Sequence, residues 1–380
     1  MRRRILAAAA ASIAAPLLGT RARAQDAVPD DRELVLGNSA ILSGPLGRAV
    51  QDFLAGARLH FDAVSAQGGV NGRRIRLVSL DDELQPAKAV ANCRSLLADA
   101  RAFAFFGNVG SGTIAAVTPL LRESGAPLIG NFAVSDSVRE AAAGAAYFVR
   151  ATYGREAEKL VEHLATIGVR RIAVATLANP GGEEVLALVR QAVRGARLGD
   201  DVVASAAMRS DGSNIAEMGR TLAAADPQAV IVFVSGPPVA ELMKTVWAAG
   251  AQPSFYGMSV VDGLLAGKLL GDALKGLAIS QVVPWPWSVS DPVAVEYRRL
   301  CAAAGLAPGY TGFEGYLNAR VAAEGLRRAG RDLRRSGLHA AMQQMTLRLG
   351  ALDVDYTGGR HTGSRFVDLV LATRGGRYVR

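Results

Sequence analysis

The stretch ELVLGNSAILSGPLGRAVQDFLAGARLHFDAVSAQGGVNGRRIRLVSL, residues 33–80, holds one complete unit of strand, helix and strand. Leu34-Val35-Leu36 is a short apolar run that a turn at Ser43-Gly44-Pro45 brings to an end. Val50, Phe53, Leu54, Ala57, Phe61 and Val64 then recur at steps of three and four, the period of a helix with one buried stripe. Gly68-Gly69 and Asn71-Gly72 punctuate the return to a second apolar run over 75–80. Strands joined through a helix lie parallel in one sheet, with the helix covering a face.

The same rhythm runs almost to the end of the chain. Pro86 suits a first helical turn, and Ala89, Val90, Cys93, Leu96 and Leu97 form the next stripe. A strand over 102–106 leads through Gly107-Asn108-Val109-Gly110-Ser111-Gly112-Thr113 into a helix carrying Ile114, Val117 and Leu121, and 127–130 is a further short strand. From about residue 150 the alternation restarts, with helices predicted over 155–167, from 183, over 214–225 and over 239–248, and strands over 172–176, 202–206 and 230–234. An apolar strand over 276–283 runs into Pro284-Trp285-Pro286-Trp287, too rich in proline to continue a central strand, so the chain is expected to cross over there. Helices over 293–304, 313–328 and 338–349 would return to the first lobe, and the tail from Asp353 reads as short strands.

Composition narrows the function. The three arginines Arg2 to Arg4, an apolar run over 5–18 and the small-residue site Ala22-Arg23-Ala24 form an export signal, so a mature chain beginning near Gln25 in the periplasm is expected. The apolar run is shorter than the roughly 20 residues of a membrane-spanning helix, and no later segment comes closer, so the protein is expected not to be membrane-embedded. The formal net charge is +9, of which residues 1–24 carry five, leaving +4. Acids and bases are interspersed, with only doublets such as Arg73-Arg74 and Arg334-Arg335, which argues against a nucleic-acid partner. Half the residues are apolar, and the remaining length exceeds one hydrophobic core, so two lobes are expected. Cys93 and Cys301 fall among apolar residues at helical spacing, which favours buried free thiols over the one disulfide they could form. The four histidines, His60, His163, His339 and His361, are scattered without metal-ligand spacing, and no Gly-x-Ser-x-Gly turn occurs. Asp81-Asp82 point to opposite faces of a strand, so one is expected to cap the following turn. These observations predict no enzyme, no cofactor and no metal.

In an open parallel sheet the ligand sits beyond the carboxyl ends of the strands. The loop 107–113 is the best candidate: its glycines admit a ligand to backbone N–H groups, Ser111 and Thr113 offer hydroxyls, and a helix N-terminus follows, which favours an anion. The same residues would also serve as a tight turn capped by Ser111. No lysine follows the glycines, so this is not a nucleotide-binding P-loop.

With Leu42-Ser43-Gly44-Pro45-Leu46, Gly56, Gly68-Gly69-Val70-Asn71-Gly72-Arg73, Asp81-Asp82, Pro86, Gly107 through Ser111, Phe313-Glu314-Gly315-Tyr316 and Arg327-Arg328-Ala329-Gly330, the chain resembles the branched-chain amino-acid-binding protein family, solute receptors of ABC importers. The resemblance covers nearly the whole chain after residue 24. It implies an α/β type I periplasmic binding fold, two doubly wound parallel-sheet lobes joined by a three-strand hinge, with 25–149 and 280–351 in the first lobe and 150–279 and 352–380 in the second. It implies a monomer that closes on a small-molecule ligand and docks on a permease, or alternatively an exported sensing module that signals to a receptor. Ser111 matches the position whose hydroxyl and backbone hold a ligand carboxylate, and Phe132 and Val134 match two more on that side. The implied ligand set is Ser43, Asn108, Ser111, Gly112, Phe132, Ala133 and Val134 from the first lobe and Pro180, Ser235, Gly236 and Ser259 from the second.

Two departures bear on the ligand. Members that bind α-amino acids usually carry an aromatic residue where Pro180 stands and an acid where Ser259 stands, the acid pairing with the ammonium. A buried ammonium without a partner costs several kcal/mol, so a simple amino acid requires Asp262 or Glu183 as substitute. A carboxylate-bearing or neutral organic solute is the alternative, with Phe132 and the pair Trp285 and Trp287 as aromatic contacts, unless those tryptophans pack the hinge.

Overall fold

A computed structural model describes residues 29–30, 32–274, 276–374 and 377–380, and the export segment expected over 1–24 lies outside the described residues. The quoted stretch folds as β1 (Glu33–Ala40), α1 (Gly44–Ala66) and β2 (Arg74–Asp81), the strands parallel in register from Glu33 opposite Arg74 to Ala40 opposite Asp81. Then follow α2 (Pro86–Ala98), β3 (Ala104–Phe106), α3 (Ser111–Ser124), β4 (Leu128–Ile129), α4 (Asp136–Ala141) and β5 (Ala146–Tyr147). These strands make a five-stranded parallel sheet in the order β2-β1-β3-β4-β5. Side chains alternate along β1, so Leu34 and Leu36 share a core with Phe53 and Leu54 of α1, while Val35 joins the opposite core with Cys93 of α2 and Val117 of α3.

The second lobe begins with α5 (Tyr153–Thr166) and continues through β6 (Ile172–Leu177), α6 (Pro180–Gly195), β7 (Ala204–Met208), α7 (Ile215–Ala224), β8 (Ala229–Val232), α8 (Pro238–Ala248), β9 (Ser254–Gly257), α9 (Gly263–Leu270) and β10 (Leu277–Gln281). The chain returns to the first lobe as α10 (Pro292–Ala303), α11 (Tyr310–Arg328), α12 (Arg335–Gln343), β11 (Thr346–Leu349) and β12 (Leu352–Asp355), and crosses back for β13 (Asp368–Ala372) and β14 (Tyr378–Val379). The second sheet has the order β14-β13-β10-β9-β8-β6-β7; the five strands β6 to β10 are parallel, and β13 and β14 extend the edge antiparallel. The fold is the type I periplasmic binding fold, two α/β lobes each built on a parallel sheet covered on both faces.

The helix predicted over 338–349 stops at Gln343. Gly350, at φ 61°, turns β11 back on β12, the Tyr356 N–H donates to the Met345 carbonyl at 2.9 Å, and the Ala351 N–H donates to Asp291 at 3.0 Å, so residues 346–355 form a hairpin. Residues 352–355 thus pair with β11, and the chain enters the second sheet at Asp368.

Three segments join the lobes. Residues 148–149 run beside 361–364, with Phe148 N–H to the His361 carbonyl at 2.7 Å, Gly363 N–H to the Phe148 carbonyl at 2.7 Å and Ser364 N–H to the Val149 carbonyl at 3.0 Å. The third leaves β10 through Trp285 and Trp287, whose rings meet Tyr310 of α11 at 6.1 and 5.7 Å; Tyr310 in turn meets Tyr378 of β14 at 5.3 Å. The tryptophans therefore pack the hinge between the lobes.

The first lobe depends on the close approach of α1 and α11. A Cβ on Gly315 would overlap the Phe53 carbonyl oxygen, and one on Gly56 would overlap the Gly312 carbonyl. Both obstacles are backbone and cannot rotate away. Gly315→Ala is expected to lower the unfolding free energy by about 3 kcal/mol, the upper end for overpacking, in a denaturant titration; a cost under about 0.5 kcal/mol would refute the packing.

Across the same interface His60 of α1 sets its ring edge-on to Tyr316, centroids 5.4 Å apart. Burial first, and then the Arg320 charge, lower the His60 pKa from 6.5 to about 4. The unfolded chain therefore takes up this proton before the folded one does, and the stability it contributes is complete above pH 6.5 and lost as pH falls toward 4. His60→Phe keeps the ring contact and should flatten that loss in thermal melts between pH 7 and 4; parallel curves for both proteins would contradict the assignment.

Candidate functional site

The loops after β3 and β4 form the first lobe's rim. Gly110, at φ 91°, precedes α3, and Ser111 is the first helical residue. Ser111 does not cap the helix: its Oγ accepts the Ser135 N–H at 2.9 Å, which leaves the hydroxyl hydrogen to donate. Gly112 is exposed beside it. Asn108 is buried and turned inward, its Oδ1 accepting the Ser39 N–H at 3.2 Å and its Nδ2 lying 3.8 Å from Cys93 Sγ. Cys93 and Cys301 are both buried free thiols, in no disulfide. Ser43 is exposed ahead of α1. Asp81 and Asp82 both serve the backbone, accepting N–H groups of Leu42, Glu83 and Leu84 at 2.9 to 3.0 Å.

After β4, Phe132 is half-buried, Ala133 is left-handed at φ 55°, and Val134 is buried with its carbonyl taken by Arg139 Nε at 3.1 Å. Arg139 also donates to the carbonyls of Arg150 and Ala151 at 2.9 and 3.2 Å, pinning the segment that leaves β5 for the second lobe. Burial and the nearby Arg150 charge lower its pKa to about 10. Asp136 of α4 accepts the Tyr153 and Gly154 N–H groups, both at 2.9 Å, an anion on the exposed donors of a helix N-terminus.

The second lobe's rim holds Pro180 at the exposed start of α6, Ser235 and Gly236 (φ 75°) half-buried between β8 and α8, and Ser259 after β9. Neither proposed substitute stands at Ser259: Asp262 caps α9 through the Leu265 N–H at 2.9 Å, and Glu183 is exposed on α6. The carboxylate beside Ser259 is that of Glu156, which accepts its N–H at 2.8 Å, its Oγ–H at 2.9 Å and the Ser280 hydroxyl at 2.6 Å.

These groups converge on Arg150, in the crossing between β5 and α5. Its Nη2 donates to Ser259 Oγ and to Glu156 Oε1, the latter at 3.3 Å, and its Nη1 stands 3.4 Å from Glu314 Oε1 on α11. The guanidinium carbon lies 5.5 Å from the centroid of Phe132 and 5.9 Å from that of Tyr153. Arg150 is 1% exposed, yet its Nε and Nη1 have no hydrogen-bond acceptor, nor has Glu314 Oε1 a donor. Burial opposes the Arg150 charge, but the carboxylates of Glu314 and Glu156 outweigh it and hold the pKa above the ordinary value. Burial raises the Glu314 carboxyl, with Arg150 pulling against it.

The structure thus brings Phe132 and Ser259 together through Arg150, leaves Ser43 and Pro180 on exposed rims, and turns Asn108 and the Val134 carbonyl to internal bonds. Sequence reasoning missed Arg150, Glu156, Ser280 and Glu314. No cluster of three or more metal-ligating side chains occurs among the described residues, and no described helix is long and apolar enough to cross a membrane.

A family model described as periplasmic binding protein matches residues 33–377. Over 131 residues the chain is 28% identical to Leu/Ile/Val-binding protein homolog 7 of Brucella suis, a match spanning 34% of this chain and 31% of that relative. A substrate-binding periplasmic protein from Ralstonia solanacearum superposes with a TM-score of 0.83 at 29% identity, covering 91% of this chain and 99% of that one. A branched-chain amino acid ABC transporter protein from Thermus thermophilus, solved with bound valine, superposes with a TM-score of 0.81 at 19% identity, covering 92% and 95%, and shares the fold. The chain belongs to the periplasmic binding protein family, with proteins of the Leu/Ile/Val-binding type among its relatives.

Proposed function

We propose that the chain is the periplasmic solute-binding component of an ABC importer, a monomer that closes two lobes on a small organic carboxylate and delivers it chemically unchanged to a permease. The observation that carries this reading is the meeting of both lobes at Arg150, where a buried cation keeps unmatched N–H groups beside Phe132 from one lobe and Ser259 from the other. Ser111 adds a neutral donor from the first rim, where its hydroxyl hydrogen is left over by the bond from Ser135. Ser235 and Gly236 border the opposite rim.

Closure has a physical basis in a separate contact between the lobes. Ser137 of α4 donates its N–H, at 3.0 Å, and its hydroxyl to the Glu184 carboxylate of α6, a contact across the cleft that parts without disturbing either sheet. Bending at the crossing segments would open and shut it, as hinge motions do around ligands. A reaction would need an acid, base or nucleophile aimed at the solute, and the Glu156 carboxylate is instead held by Ser259, Ser280 and Arg150.

A thermal-shift screen of residues 25–380 against amino acids, aromatic and aliphatic carboxylates, amides and purines tests the reading. A carboxylate should raise the melting temperature with concentration, by the equivalent of about 2.7 kcal/mol at a hundred times Kd, and be recovered unchanged. Ser111→Ala should weaken that ligand by about 1.5–3 kcal/mol, the worth of a hydrogen bond to a charged group. Turnover of the ligand would contradict the assignment as a binder, and undiminished affinity would remove Ser111 from the site.

A further inference from the structure

The charge arrangement around Arg150 reaches further than solute capture in general. Every amino acid brings an ammonium as well as a carboxylate, and the ammonium needs a carboxylate with room for it. Glu156 accepts the Ser259 N–H, the hydroxyls of Ser259 and Ser280, and Arg150 Nη2, so both of its oxygens are occupied within the second lobe and the crossing. Glu314 is engaged differently. It faces Arg150 at 3.4 Å without a hydrogen bond to that oxygen, is buried in the first lobe, and lies in the field of Glu156 and Arg139 as well as Arg150.

We infer that Arg150 is the anion-recognition residue of the cleft, and that the solute is a carboxylate without an α-ammonium group. The inference rests on the solute-binding reading and names the class of solute. Arg150 carries the unmatched donors at the junction, on Nε and Nη1, and the rings of Phe132 and Tyr153 flank its guanidinium. Before a solute arrives, Arg139 and Arg150 face the buried carboxylates of Glu156 and Glu314, with the half-buried Asp136 acting on Arg139 from the α5 N-terminus. An entering carboxylate adds one negative charge beside Glu314, whose carboxyl burial already holds above its ordinary range. An entering ammonium would be placed beside the Arg150 guanidinium, a like charge in a dry site.

Two matched pairs of probes separate these chemistries: 4-methylpentanoate against L-leucine, which differ by the ammonium, and benzoate against benzamide, which differ by the charge. Titration calorimetry on the wild-type chain should find the acid of at least one pair bound more tightly than its partner by about tenfold or more. Arg150→Lys retains a charge but loses the planar fork and should weaken that acid about 30-fold while narrowing its lead over its partner. Glu314→Gln keeps the shape and removes the competing charge, and should tighten the acid about 3- to 10-fold.

Leucine bound as tightly as 4-methylpentanoate together with benzamide bound as tightly as benzoate would overturn the solute class. Acid affinity unchanged in a folded Arg150→Lys would overturn the residue assignment. Both results leave solute capture standing, because they are read from binding itself. Should Arg150→Lys fail to fold, Glu314→Gln decides alone, and weaker acid binding there overturns the inference.

Discussion

A buried guanidinium at the junction of the two lobes governs the rest of this molecule. Taking a charge out of water costs several kcal/mol unless neighbours answer it, and the answers to Arg150 come from separate parts of the chain: Glu156 on α5, Ser259 after β9, and Glu314 on α11. Two belong to the second lobe and one to the first, so the interaction that neutralises the cation also links the two lobes. The partners are unequal. The second-lobe side is closed by hydrogen bonds, whereas the first-lobe side is an ion pair with unused capacity on both groups. That asymmetry makes the first-lobe side the place where the cluster can accept something new.

The surrounding structure holds this junction in place. Arg139 spends its guanidinium on three backbone carbonyls around the crossing, and Asp136 takes the first N–H groups of α5, so the backbone on either side of Arg150 is fixed from the first lobe. On the hinge's other strand, Trp285, Trp287, Tyr310 and Tyr378 form a chain of edge-to-face ring contacts that crosses between the lobes.

The architecture was legible because it rests on periodicity. Leu34 to Leu80 contains a strand, a helical stripe and a second strand whose spacing admits few alternatives, and repetition of that unit makes the parallel sheet and the two lobes readable. Residues 338–349 misled because Leu338, Met342 and Leu349 fit a helical stripe, while the hairpin depends on the positive φ at Gly350 and a bond from Ala351 to Asp291. Sequence pattern pointed to the glycine loop before α3, where the structure places Ser111 at the first helical turn, and to Phe132, which the structure places beside Arg150. The site was not legible at Arg150, because Tyr147-Phe148-Val149-Arg150-Ala151 reads as the end of an apolar strand, and only the fold shows that its arginine is buried. A signal existed at Glu156, which falls on the buried stripe of α5 between Tyr153 and Leu160, and at Glu314, set between Phe313 and Tyr316 on a helix buried nearly all round. An acid on an apolar stripe implies a buried partner, and here both acids share one.

The most direct measurement is a crystal structure of the wild-type chain grown with the tightest-binding carboxylate of the solute screen. The account predicts closed lobes with a carboxylate oxygen within about 3 Å of Arg150 Nε or Nη1 and with Glu156 still bonded to Ser259 and Ser280. A carboxylate held away from Arg150, or a solute whose ammonium sits on Glu156 or Glu314, would contradict it.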